Sequence, residues 1–143
     1  MKSVKRIFTL GTGRRSEEDF VEILLAHDIG TVVDVRRVPR SKIAVFTRAN
    51  LEGLLKSEEI GYYYLGEELG GLRKGGYAEY IHTDAFRSGI DKLESLAADR
   101  LAVILCAERF PWKCHRKWIS RELHKRGWLV EHIIDKGKVW VPK

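Results

Sequence analysis

Two short segments constrain this chain most: Thr31-Val32-Val33-Asp34-Val35 and Leu101-Ala102-Val103-Ile104-Leu105. Each is a nearly continuous apolar run, the pattern of a parallel strand buried on both faces. The second is the more apolar and belongs at the centre of a sheet. Parallel strands cannot be joined by hairpins and need crossovers, usually helical. The intervening sequence supplies them. Val4 to Leu10 reads as a first strand ending at Gly11. Ser16 caps a helix through about Ala26, with Glu17, Glu18 and Asp19 at the positive end of its dipole. Phe20, Ile23, Leu24 and His27 recur on one face at the helical period. A second helix fits Thr47 to Ser57, with Leu51, Leu54 and Leu55 inward. Tyr62 to Leu65 reads as a third strand, and Asp84 to Ala98 as a third helix. Pro111 suits the first position of a fourth helix ending at Gly127, with Trp118, Ile119 and Leu123 on its core face. Trp128 to Ile134 is a fifth strand, followed by a turn into a short edge strand, Val139 to Val141.

This alternation predicts one α/β domain over residues 1–143: a mainly parallel five-stranded sheet, helices on both faces, and a short antiparallel edge strand. The length and the 44% apolar share suit one sizeable core. No apolar run approaches the ~18–20 residues of a membrane span. Met1 to Arg6 leads straight into the first strand with no signal-like apolar region, so a soluble, cytosolic protein is expected. Two cysteines cannot staple a secreted scaffold of this size. The chain has no Gln, one Asn and 32% charged residues, a usage that hints at a thermophilic source.

Charge is uneven. From Met1 to Leu105 there are 16 basic and 16 acidic residues, leaving 10 of the 26 basic and 4 of the 20 acidic ones for Cys106 to Lys143. A basic C-terminal quarter suggests an anionic partner, from a phosphate-like small ligand to a nucleic acid, or simply a solvated basic helix.

In open parallel sheets, ligands bind outside the carboxyl ends of the strands. That rule selects Gly11 to Arg15, Asp34 to Arg37, Gly66 to Gly76 and the segment from Cys106 onward. Cys106 follows the most buried strand shortly before a helix, where a thiol is acidified and backbone N–H groups meet anions. It is expected to be the more reactive cysteine; the competing reading is a small core hydrophobe. Arg36 and Arg37 close a second buried strand, and one of them should reach the crevice, unless Asp34 merely pairs with it. His115 could act as base to a thiol, and Arg116 as an anion clamp. Cys106, Cys114 and His115 lack the ligand spacing of a zinc site, so no metal or cofactor is expected. A Cys106–Cys114 disulfide is conceivable. Gly11-Thr12-Gly13 lacks the third glycine of a dinucleotide fingerprint, leaving a turn in which Gly11, Gly13 and Arg14 suit a generic phosphate. Gly66 to Gly76 is expected to be loop, either a lid over the strand ends or an ordinary connection.

Thr9-Leu10-Gly11, Val33-Asp34-Val35-Arg36 with Pro39, Leu65-Gly66 to Gly70-Gly71, Leu105-Cys106-Ala107-Glu108 and Cys114-His115-Arg116 occur in this order. In this arrangement the chain resembles the domain of unknown function 488 family. The likeness covers nearly the whole chain, and Cys-Ala-Glu with Cys-His-Arg is its most specific part. It implies a shared site at these residues and no particular reaction. The chain departs at Gly11-Thr12-Gly13, where many members have a Gly-His-Ser-like run. A weaker similarity is to rhodanese-like domains, which would make Cys106 a nucleophile. Glu108 speaks against that, as a carboxylate in an anion cradle, and Trp112 stands where the phosphatase pattern needs Arg.

The leading expectation is therefore a thiol-dependent site. Cys106, His115 and Glu108 would be catalytic, Arg36, Arg116, Arg14, Gly11 and Gly13 would bind an oxyanion, and Asp34 and Cys114 would support them. The alternatives are a nucleic-acid or nucleotide binder using the basic helix with Trp112, Trp118 and Tyr77, or a non-catalytic interaction domain.

Overall fold

The computed structural model describes residues 5–37, 44–71, 73–108 and 110–142; Val4, Pro39 and Leu72 lie outside them. Six strands form one sheet: β1 (Arg6–Gly11), β2 (Thr31–Asp34), β3 (Gly61–Tyr64), β4 (Ala102–Cys106), β5 (Leu129–Asp135) and β6 (Lys138–Trp140), in the order β3-β2-β4-β1-β5-β6. The first five are parallel, and β6 pairs antiparallel with β5 as the expected edge strand. The apolar run of β4 sits between β2 and β1, buried along its whole length.

Helices α1 (Glu17–Ala26) and α2 (Arg48–Ser57) cover one face. There Phe20, Ile23, Leu24, Leu51 and Leu55 meet Phe8, Leu10, Val103 and Leu105. Ser16 caps α1 as its sequence predicts, accepting the Asp19 N–H. Further along the chain come α3 (Gly66–Leu69), α4 (Tyr77–Tyr80), α5 (Asp84–Asp99) and α6 (Arg116–Lys125). Phe86, Ile90, Leu93, Ile119 and Leu123 meet Ile7, Val33, Ile104 and Cys106 on the opposite face. Neighbouring strands β1 and β4 thus send their chains to opposite faces, which opens a crevice at their carboxyl ends. Gly11 pairs with Cys106, and Asp34 with Leu105, so the three central strands end together. No helix among the described residues is long and apolar enough to cross a membrane.

Three expectations need correction. Pro111 heads only a 3-10 turn, Pro111–Lys113. The extended backbone of Cys114 (φ −139°, ψ 171°) interrupts the helix, and α6 starts at Arg116. Gly66 to Gly76 is not all loop: α3 and most of its surroundings are fixed by Leu69 in the core and by Tyr77 and Tyr80 hydroxyls on the Leu69 and Glu68 carbonyls. Gly66 and Gly70 serve close approach, since a Cβ on Gly66 would lie 2.1 Å from the Arg36 carbonyl oxygen, whereas Gly75 and Gly76 supply positive φ. Finally, Trp118 is only half-buried, with Arg121 and Lys117 over its ring.

Candidate functional site

Parallel β4 delivers Cys106 to the face under α6, where its sulfur lies 3.1 Å from that of Cys114 and 3.5 Å from the Glu108 carbonyl oxygen. The Cys114 sulfur also accepts the Arg116 backbone N–H at 3.3 Å. Beneath the pair, the Arg116 side chain is completely buried. It donates to the Thr9 hydroxyl at 3.1 Å and to the Glu108 carbonyl at 2.8 Å. Thr9 in turn lies 2.6 Å from His132 Nδ1. Burial and the Arg116 charge push His132 down to about 4, so its ring is neutral near pH 7. With Arg116 donating to it, the Thr9 hydroxyl is placed to donate onward to Nδ1.

The acidity of the two thiols is the reverse of the expectation. Burial pushes Cys106 well above an ordinary thiol, and its contact with Cys114 adds to this. Cys114 is lowered to about 7, first by the hydrogen bond from Cys106 and then, against its own burial, by the Arg116 charge and N–H. Cys106 sits inside the sheet with no helix start beside it, whereas Cys114 receives the donors.

The other proposed residues separate into two groups. Arg36 is buried and forked on Asp34, with Nε–Oδ1 at 2.9 Å and Nη2–Oδ2 at 2.8 Å, and Nη1 donates to the Phe46 carbonyl at 2.6 Å. Tyr62 donates its hydroxyl to the same carboxylate at 2.6 Å. Gly11 ends β1, and the following N–H groups of Thr12 and Gly13 are directed at the Cys106 and Ala107 carbonyls (2.8 and 2.9 Å). The turn after β1 is thereby sewn to the end of β4, and Arg14 is exposed on it. Glu108 contributes its carbonyl to the cysteine cluster while its side chain is exposed.

His115 joins the groove without touching a sulfur through any described hydrogen bond. Its Nε2 lies 3.0 Å from the Val35 carbonyl oxygen, which can only accept, so Nε2 carries the proton and Nδ1 is the acceptor. Burial lowers its pKa and keeps the ring neutral. A Cβ at Gly71 would come within 3.2 Å of Nδ1, so glycine lets that loop close over the ring.

Of the residues expected at the site, Arg36, Cys114 and His115 line a groove of about 510 Å³, whereas Cys106, Glu108, Arg116, Arg14, Gly11 and Gly13 do not. Cys114 and His115 lie in it, with Arg37 and Lys117 as cations and Tyr77, Trp112 and Trp118 as aromatic walls. Thr9 and His132 escaped the sequence reading. Their signal was a polar residue inside each of two apolar strands, and parallel pairing sets the two opposite each other.

A buried arginine thus lies under two close thiols at the carboxyl edge of the mostly parallel sheet of an α/β protein. The family model for the domain of unknown function DUF488 matches residues 16–76 and 73–123, and the chain belongs to that family. The match spans the Asp34-Val35-Arg36, Cys106-Ala107-Glu108 and Cys114-His115-Arg116 segments. No curated protein and no solved structure gives a match, and the rhodanese likeness is not shown.

Proposed function

We propose that the strand-end groove carries out thiol-dependent chemistry on a small anionic substrate, with Cys114 as the thiolate. The observation that carries this reading is the placement of the Cys114 sulfur. It lines the groove and accepts from the Arg116 N–H and the Cys106 thiol. With a pKa of about 7, a large fraction is ionised at neutral pH. Arg37 and Lys117 supply positive charge for an oxyanion at the groove wall. His115 offers Nδ1 as an acceptor, and the Arg36–Asp34 pair holds the shape of the wall. Alkylation by iodoacetamide, followed against pH, tests this. The rate should rise with a midpoint near 7 and lose that midpoint in Cys114→Ser. In Cys106→Ser a changed thiol neighbour should shift the midpoint without abolishing it. Resistance of Cys114 until the protein unfolds would defeat the reading.

A second reading, nucleic-acid binding, has one observation of its own. Trp112 is 49% exposed in the groove wall, stacked on Phe110 at 5.0 Å and edge-on to Trp140, which is 42% exposed. Exposed rings beside cations suit unpaired bases. In that case Trp112→Ala and Lys117→Ala should weaken binding of a labelled single-stranded oligonucleotide, with steep salt dependence. A groove specific for small anions predicts instead that Arg37→Ala weakens phosphate binding while the oligonucleotide is ignored.

A further inference from the structure

We infer that Cys106 and Cys114 form a two-electron dithiol–disulfide couple, in which Cys114 attacks a small disulfide substrate and Cys106 resolves the product. This rests on the reading of Cys114 as a thiolate and goes past it by assigning the second sulfur and the reaction class. The sulfurs lie 3.1 Å apart as free thiols. A disulfide needs about 2.05 Å, so closure asks for roughly an ångström of approach. The pair is also asymmetric in the way exchange requires. Cys114 lines the groove, while Cys106 is 1% exposed and lies behind it in contact with the Cys114 sulfur.

The order of steps follows from that asymmetry. Cys114 gives its proton to solvent, and its thiolate attacks one sulfur of a small disulfide RS–SR. A Cys114–SR bond forms, the substrate S–S bond breaks, and RS⁻ leaves to take a proton from solvent. The Cys106 thiol then loses its proton, its sulfur attacks Cys114 Sγ, and a second RS⁻ leaves and is protonated. The protein is oxidised by two electrons to the Cys106–Cys114 disulfide, and RS–SR is reduced to two RSH. The Arg116 charge favours the attacking thiolate in the first step. The cations Arg37 and Lys117 favour a disulfide bearing carboxylates.

Oxidised glutathione is a suitable probe. Reduced wild type, Cys106→Ser, Cys106→Ala and Cys114→Ser proteins are incubated with it, quenched in acid and mapped as peptides by mass spectrometry. Wild type should yield the internal disulfide, with only transient glutathione on Cys114. Both Cys106 variants should halt as the mixed disulfide at Cys114, and Cys114→Ser should remain unmodified while folded. The wild-type product needs no variant to be read, so a misfolded variant does not blunt the test. If wild type accumulates the mixed disulfide as fully as the Cys106 variants, the couple is refuted while the Cys114 thiolate stands. If Cys114 stays unmodified in every folded protein, both readings fall.

Discussion

Arg36 and Arg116 are two buried arginines at neighbouring strand ends, 4% and 0% exposed, and they have different companions. Arg36 is forked on the carboxylate of Asp34, to which Tyr62 also donates. Burial and that carboxylate push the Tyr62 hydroxyl upward, so it stays a donor. The charges close on one another and fix the end of β2. Arg116 donates to a hydroxyl and a carbonyl, and its field falls on Cys114, whose charge depends on pH. A guanidinium held by a carboxylate keeps a shape. One set beside a thiol adds its charge to the Cys106 hydrogen bond, and the two together bring Cys114 near neutrality.

The same substitution at both positions breaks the comparison open. Arg36→Met leaves Asp34 fully buried without its counter-charge, and removing one partner of such a pair costs about 3–5 kcal/mol. The loss should appear as a lower urea midpoint, with the Cys114 titration unchanged. Arg116→Met removes donors from a hydroxyl and a carbonyl, a cost of about 1–3 kcal/mol. It should also move the Cys114 midpoint upward from about 7, the Cys106 hydrogen bond keeping part of the lowering, followed by thiolate absorbance. A larger stability loss at position 116, or an unmoved Cys114, would erase the distinction between scaffold and site.

The fold was legible where one local pattern decides an element. The apolar β4 run requires a central strand, and Ser16 with three acids starts a helix whichever neighbours surround it. Of the segments that the strand-end rule selects from element order, Asp34 to Arg37, Gly66 to Gly76 and the stretch after Cys106 reach the candidate groove, whereas Gly11 to Arg15 does not. The internal chemistry of the site was not legible. Whether Cys106 or Cys114 is acidic depends on where α6 begins, and Pro111 suited a helix that tertiary packing delays to Arg116. The Thr9–His132 contact joins residues 123 apart and depends on strand register. Gly66 carries the usual signal of a flexible loop, yet its role is to admit the Arg36 carbonyl.

The smallest effect concerns how the Arg116 region alone couples stability to pH in the reduced protein. In the folded state the first proton leaves the cysteine pair near 7, from Cys114, and the second leaves only well above 9, from Cys106. In the unfolded chain both leave at ordinary thiol values, about 8.5. Between those limits the unfolded state binds more protons, so stability should rise with pH from about 7 to about 8.5. Beyond it the unfolded chain has lost both protons while folded Cys106 keeps its own, and stability should fall again. A difference of one proton limits either slope to about 1.4 kcal/mol per pH unit. Neither Arg36 nor Asp34 is among the causes that shift the two thiols, so Arg36→Met should lower the whole curve and keep its hump. Cys114→Ala should remove the rising limb. Urea unfolding at intervals from pH 6 to 10, under reductant, reads both. A wild-type curve that is flat from about 7 to 8.5 would mean that Cys106 and Arg116 together do not hold Cys114 as a thiolate, and the contrast between the two arginines would lose its chemical half.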